Sequence, residues 1–337
     1  MKKGLIISLF LLCFALFGCS KNKGFTQTIY AFDTTVTVSI YEGTEANLNE
    51  LVDMFYDLHK LTDSYHAYDG ITNVYKINEG IKAGITSFNV SNDLAYLLAF
   101  PAGASVTSEE ANLVYSDKIM LGIGTLTGLW KDAIKTKKLP DESTIGEIVE
   151  EIREGKYNYS IDLKNNILTV PVGSKVCIDL GSIVKGYATF KAKQFLESVN
   201  INKYLIDCGS SSILLGEKAN GKSFNVGVRG SDYIIKNVKN CYIGTASILE
   251  RNAEINGKIY HHIIDPQTGY PTSSYDTIVV KSSEADIDLT DLLATYLMIN
   301  PDAIDELSKI NKYKGYHIYF FNNGNLEKEV EIQWKSI

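Results

Sequence analysis

The chain runs to 337 residues, of which 45% are hydrophobic, enough for one large domain or two ordinary ones with a sizeable core. Its 33 Lys and Arg against 40 Asp and Glu leave a formal charge of −7. With no basic excess to neutralise phosphates, the composition argues against a nucleic-acid partner, and any anionic ligand must be met by local cations or a metal.

The first residues, MKKGLIISLFLLCFALFGCS, combine basic Lys2 and Lys3, an apolar run too short for a comfortable membrane span, and small Gly18 before Cys19. The stretch resembles a lipoprotein signal peptide. Residues 1–18 are expected to be removed, Cys19 to carry the lipid, and 19–28 to tether a domain spanning 29–337. The expected location is outside the cytoplasm, anchored on the outer face of the cell membrane or the periplasmic side; an uncleaved helical anchor would export the chain as well. With Cys13 lost and Cys19 lipidated, Cys177, Cys208 and Cys241 remain in apolar, strand-like contexts. An odd number there points to buried thiols rather than a disulfide framework or a metal cluster.

FDTTVTVSIY (32–41) alternates as a strand, and NLNELVDMFYDLHKL (47–61) places Leu48, Leu51, Val52, Phe55 and Leu58 on one helical face. Helical signals follow over Asp93–Ala99 and Glu109–Ile119, and STIGEIVEEIREG reads as a helix ending at Gly155. From residue 157 the pattern turns to strands. Hairpins are expected at Asn165-Asn166, at Asn256-Gly257 and near Asn323-Gly324. Two helices interrupt them, one through Tyr187, Phe190, Phe195 and Val199, the other at DLTDLLATYLMI (288–299). Strand runs mixed with segregated helices indicate α+β, here one large domain of two β-rich halves with helices packed on the sheets.

Three stretches carry chemistry. In VCIDLGSIVKGYATF (176–190) an apolar strand is expected to end at Asp179, turn through Gly181 and open a helix with Lys185 in its first turn. Helix starts favour anions, so a cation there suggests a phosphate or carboxylate partner; Lys185 extending into water is an equal reading. In DIDLTDLLATYLMI, Asp291 and Thr295 share one helical face and offer hard oxygens suited to Mg²⁺ or Ca²⁺. Seen alone, helix capping by Asp288 and back-bonding by Thr295 is the better reading. In HHIIDPQTGYP (261–271) adjacent imidazoles stand where a strand runs into a tight turn, with one of them facing the same side as Ile264. For an isolated pair, a satisfied structural imidazole is the commoner outcome.

In this order and at these separations, the three motifs resemble the FAD:protein FMN transferases, the ApbE-type flavin transferases, over roughly residues 30–300. The resemblance implies transfer of FMN from FAD to a Thr or Ser hydroxyl of an exported acceptor protein carrying Asp-x-x-Ser/Thr-Gly-Ala-Ser/Thr, with release of AMP and dependence on Mg²⁺. It implies His262 as the catalytic histidine, and Phe32, Tyr68, Lys118, Ile119, Met120, Asp179, Lys185 and Ile264 as contacts to FAD. Ser182, Asp291, Ala294 and Thr295 are implied as metal ligands, and His261 as structural. Two stretches depart from the family pattern: KIMLGIGTLTGLW lacks the usual Gly-x-Phe-Asp-x-Thr, and CGSSS stands in place of Gly-Gly-Asn. The alternatives are a Mg²⁺-dependent FAD pyrophosphatase, a non-catalytic flavin-binding lipoprotein and an extracytoplasmic interaction module.

Overall fold

A computed structural model describes residues 24–100, 118–283, 289–310 and 313–333. The expected signal, Cys19, Asp288 and residues 109–117 of the expected Glu109–Ile119 helix lie outside the described residues. The amino-terminal half carries β1 (Phe25–Ala31), β2 (Thr34–Ile40), α1 (Glu45–Thr62), α2 (Val74–Lys82), β3 (Ser87–Asn89) and α3 (Asn92–Ala99). Then come α4 (Gly124–Thr136), α5 (Glu142–Arg153), β4 (Ser160–Asp162), β5 (Ile167–Thr169) and α6 (Val184–Ser198). Strands β6 (Tyr204–Cys208), β7 (Ser212–Leu215), β8 (Phe224–Gly227), β9 (Ile234–Val238) and β10 (Cys241–Ser247) follow. After them stand β11 (Asn252–Ile255), β12 (Lys258–His261), β13 (Ile264–Asp265), β14 (Tyr270–Pro271) and β15 (Thr277–Ser282). The described chain closes with α7 (Leu289–Ile299), the short α8 (Ile304–Leu307), β16 (His317–Asn322) and β17 (Asn325–Glu331).

Strands from both ends of the chain meet in one eight-stranded sheet, ordered β1-β2-β6-β7-β10-β15-β16-β17 and antiparallel at each neighbouring pair. The alternation anticipated for β2 sets its inner face: Val36, Val38 and Ile40 are fully buried and pair with Cys208, Ile206 and Tyr204. This face packs on Leu51, Phe55 and Leu58 of α1 and on Ala188, Ala192 and Leu196 of α6, and the same core reaches Leu292, Leu293 and Leu297 of α7. Ile243, Val279, Tyr319 and Phe321 face the opposite side, beneath the β8–β9 hairpin with its Phe224 and Ile235. Helix α1 buries the five residues its periodicity selected and starts on a capping box between Thr44 and Asn47. The three expected hairpins form, with Asn256, Gly257, Asn323 and Gly324 all at positive φ as two-residue turns of that hand require.

Three expectations need correction. Strand β1 starts at Phe25, so residues 25–28 belong to the sheet and not to the tether. Phe32 and Asp33 are not strand residues; they form the β1–β2 turn at φ 54° and 55°, a left-handed conformation that costs a bulky residue on the order of 1–3 kcal/mol. The stretch before Asp179 is paired on one side only: its backbone bonds Leu121, Gly122 and Gly124 around a single Ile123–Cys177 bridge, and among the described residues it joins no named strand. Its free edge is satisfied by a side chain: Ile178 N–H donates to Asn78 Oδ1 (2.7 Å), and Asn78 Nδ2 donates back to the Ile178 carbonyl (3.0 Å). A side chain that mimics a neighbouring strand removes the need for one.

Helix α7 lies against β10 at Gly244, where an added Cβ would sit 2.2–2.4 Å from the backbone of Thr290 and Asp291. Backbone cannot swing aside as a flexible side chain can, so Gly244→Ala must displace the first turn of α7. The expected result is a loss of about 1–3 kcal/mol in stability, read as a lower thermal midpoint. An unchanged midpoint would mean that α7 does not seat on β10 at this distance.

Candidate functional site

A cavity of about 790 Å³ opens between the β6–β7 turn, β10, the starts of α6 and α7, the segment after β12 and the β8–β9 hairpin. Lys118, Ile119, Met120, Asp179, Ser182, Lys185, His262, Ile264, Asp291 and Thr295 line it together. Its size falls within the range of small-molecule sites. Ala294 is fully buried behind the lining. Phe32 belongs to a side groove of about 70 Å³, with His59 and Tyr65, which shares Lys131, Asp179, Gly181, Lys185 and Arg251 with the cavity. Tyr68 lines neither space. Its hydroxyl donates to Asp63 (2.8 Å), which also accepts from the Tyr65 and His66 amides and so closes the loop after α1.

Two helix starts meet at the cavity floor. Asp291, in the first turn of α7, is 4% exposed and accepts the Gly186 amide from the first turn of α6 at 3.2 Å. Burial pushes its carboxyl above the ordinary range, opposed by the nearby Lys185 charge, the Ser212 hydroxyl and the Gly186 bond. Thr295, one turn on, donates to the Asp291 carbonyl (3.2 Å), so the back-bonding expected of a lone threonine is present. The oxygens available here are hard ligands, and among the described residues no group of three His, Cys, Asp or Glu gathers around a common point. One carboxylate plus a hydroxyl is a set that fits Mg²⁺ when a ligand's phosphates complete the shell.

Asp179 sits opposite in a closed network. It accepts from Thr127 Oγ1 (2.7 Å), Lys131 Nζ (2.9 Å) and the Gly181 amide (2.9 Å). Burial alone would raise its carboxyl, but the Lys131 charge and these three bonds outweigh that and hold it down at about 2. Thr127 and Lys131 were missed in the sequence. Their four-residue spacing on α4 was readable, yet nothing local indicated which face of that helix met Asp179. Lys118 makes a two-pronged ion pair with Asp265 (3.0 and 3.1 Å), half-buried at the cavity edge.

The two histidines do different work. His261 is 2% exposed; its Nε2 lies 2.6 Å from the Thr272 carbonyl and its Nδ1 accepts the Ile263 amide at 3.3 Å, so the ring ties β12 to the chain beyond the turn. His262 is half-buried and lines the cavity, with Nδ1 3.3 Å from the Arg251 carbonyl. A carbonyl can only accept, so Nδ1 carries the proton and Nε2 keeps its lone pair. Burial, reinforced by the Arg251 charge, pushes this imidazole down to about 4, leaving it neutral at pH 7. The turn that follows is pinned from below: Trp130 Nε1 donates to the Gly269 carbonyl (2.8 Å), and Gly269, at φ 77°, lies where a Cβ would come within 2.5 Å of Ile145.

The Asp179 network has a pH signature. Its depressed carboxyl contributes roughly 2 kcal/mol of stability, fully present above about pH 4 and lost as pH falls through about 2. Lys131→Met is therefore expected to destabilise the fold at pH 7, measured by chemical denaturation, with the difference from wild type narrowing between pH 4 and 2. A difference independent of pH would remove Asp179 from the explanation.

A family model described as the ApbE family matches residues 32–320. The chain is 24% identical over 267 residues to an FAD:protein FMN transferase of Klebsiella pneumoniae (strain 342), covering 79% of this chain and 80% of that protein. It is 27% identical over 189 residues to an FAD:protein FMN transferase of Treponema pallidum (strain Nichols), a match covering 49% of this chain and about half, 51%, of that relative. Among solved structures, the ApbE protein of Thermotoga maritima shares the fold, with a TM-score of 0.72 at 22% identity, covering 91% of this chain and 97% of that one.

Proposed function

The chain belongs to the ApbE family, and from that membership we propose that it transfers the FMN part of FAD to a Ser or Thr hydroxyl of a second protein, releasing AMP. The observation that carries this reading is the convergence of His262, Lys185, Asp291 and Thr295 on one cavity. FAD is a substrate here, bound along the cavity with its diphosphate toward the starts of α6 and α7, where the positive ends of two helices and Lys185 meet negative charge. His262 Nε2 takes the proton of the acceptor hydroxyl. That oxygen attacks the FMN-side phosphorus, and the bond to the AMP oxygen breaks. Such transfers depend mainly on positioning and charge stabilisation. Lys185 faces the charge that develops on the departing phosphate.

Mg²⁺, held by the Asp291 carboxylate and the Thr295 hydroxyl with the Ser182 and Ala294 carbonyls, would neutralise the diphosphate. Ile264 and Met120 border the flavin, and Asp179 keeps the turn before α6 in place through the Gly181 amide. The two departures from the family pattern leave the metal set and His262 intact; the first falls on the stretch that carries Ile119 and Met120. The acceptor is an exported protein with the Asp-x-x-Ser/Thr-Gly-Ala-Ser/Thr segment, and the enzyme itself is held at the membrane by lipid on Cys19. Among the described residues no helix is long and apolar enough to cross a membrane.

Two substitutions separate chemistry from fold. His262→Gly should still bind FAD, followed by flavin fluorescence, while AMP release with acceptor falls by about 10²–10⁴-fold. His261→Ala should mainly lower the thermal midpoint. Equal kinetic losses in the two variants would place the base elsewhere. Asp291→Asn removes a buried charge, so the thermal midpoint should hold or rise while turnover drops at least about a hundredfold, since charge stabilisation of several kcal/mol is lost. Full turnover of that variant in EDTA would remove the metal from the account.

A further inference from the structure

The cations that line the cavity are not equivalent. Lys118 is paired with Asp265, Lys131 with Asp179, and Arg229 with Glu250. Lys185 and Arg251 are left, and among the described residues neither has a carboxylate within ion-pair distance. Lys185 is absorbed by the proposed function. Arg251 is not.

Its position is specific. Arg251 borders both the cavity and the Phe32 side groove, at their junction with Lys131, Asp179, Gly181 and Lys185. Its backbone carbonyl receives the His262 Nδ1 proton, so the residue that orients the base also carries the unpaired charge. Among the described residues the guanidinium makes one long hydrogen bond, Nη2 to the Asp33 carbonyl at 3.4 Å, in the left-handed Phe32-Asp33 turn. Most of its five donors are thus unengaged. Its charge reaches both the Lys131 ammonium and the His262 ring, and it disfavours the protonated form of each. Holding a guanidinium near an ammonium and a basic imidazole is unfavourable unless an anion shares the space. A planar fork of donors suits the non-bridging oxygens of a diphosphate, which it can grip two at a time.

We propose that Arg251 is a substrate-contacting residue that clasps the diphosphate of the bound dinucleotide across from Lys185, at the mouth of the Phe32 side groove. This deepens the proposed function and rests on it: the anion it meets is the diphosphate of FAD, and the charge it steadies is that on the departing phosphate. Through its carbonyl it also couples the base to the phosphate site. When the diphosphate arrives, its negative charge offsets Arg251 and the base becomes more basic than in the empty cavity.

The test compares wild type with Arg251→Gln and Arg251→Lys, each with the full chain and Mg²⁺. FAD and riboflavin affinities are measured by flavin fluorescence, and kcat/KM is followed against pH. The expected result is that Arg251→Gln weakens FAD binding tenfold or more while riboflavin affinity stays within twofold, because riboflavin has no phosphate. The acid limb of the Arg251→Gln profile should move to higher pH, since one of the charges that depress His262 is gone while burial, His261 and Lys185 still act on it. Arg251→Lys should restore the acid limb but recover FAD affinity only in part, as a point charge replaces the fork. Equal losses for FAD and riboflavin, or an unmoved acid limb, would make Arg251 a structural residue and overturn the proposal. Wild-type protein that binds FAD without transferring FMN would instead defeat the transfer reading, and the comparison of affinities would still decide the role of Arg251.

Discussion

The carboxylate of Asp291 is the constraint around which the site is built. It is almost fully buried, and it accepts the Gly186 amide with the Ser212 hydroxyl beside it. An ionised carboxylate in such a place costs several kcal/mol unless a cation or more donors meet it. The fold keeps it there by bringing α7 onto β10 at a glycine, where any side chain would collide with the Thr290–Asp291 backbone. The first turn of α6 then supplies the amide and Lys185 the nearest charge. A group held so firmly in an unfavourable position makes sense when its partner arrives with the substrate.

Around that carboxylate the remaining charges are sorted by pairing. Asp179 is satisfied three times over by α4 and the Gly181 turn, so it fixes the path into α6 and competes little for a ligand. Lys118 and Arg229 are likewise neutralised by Asp265 and Glu250. What stays uncompensated is Lys185 and Arg251 above one buried acid. A chain with a formal charge of −7 thereby presents a positive end of a cavity to an anion. His262 stands beside that end in its neutral form, with its tautomer set by a backbone carbonyl.

Local order was the part most open to reading from the sequence. The apolar period of α1 and its Thr44 start, the Asn-Gly turns and the alternation of β2 all act over a few residues, and each reappears in the fold. The three motifs of the site were readable because each sits on one element, and the fold brings all three to the same cavity. Features made by distant residues were not readable. Asn78 replaces a strand neighbour for Ile178 across a hundred positions of sequence, so an apolar run looked like a sheet strand. Thr127 and Lys131 gain meaning only when α4 lands beside Asp179. Tyr68 stood at a plausible spacing, yet its hydroxyl is engaged by Asp63, five residues away, outside the cavity. Phe32 looked like the first residue of a strand because composition does not reveal a left-handed turn at an aromatic.

The central claim is that this cavity moves FMN from FAD onto another protein. The most direct measurement is the intact mass of an exported acceptor carrying the Asp-x-x-Ser/Thr-Gly-Ala-Ser/Thr segment, incubated with the enzyme, FAD and Mg²⁺. The expected result is a gain of one FMN unit, located by fragmentation at the final Ser or Thr of the segment and absent when His262→Gly replaces the wild type. AMP and free FMN appearing with the acceptor's mass unchanged would contradict it, and would make water the nucleophile.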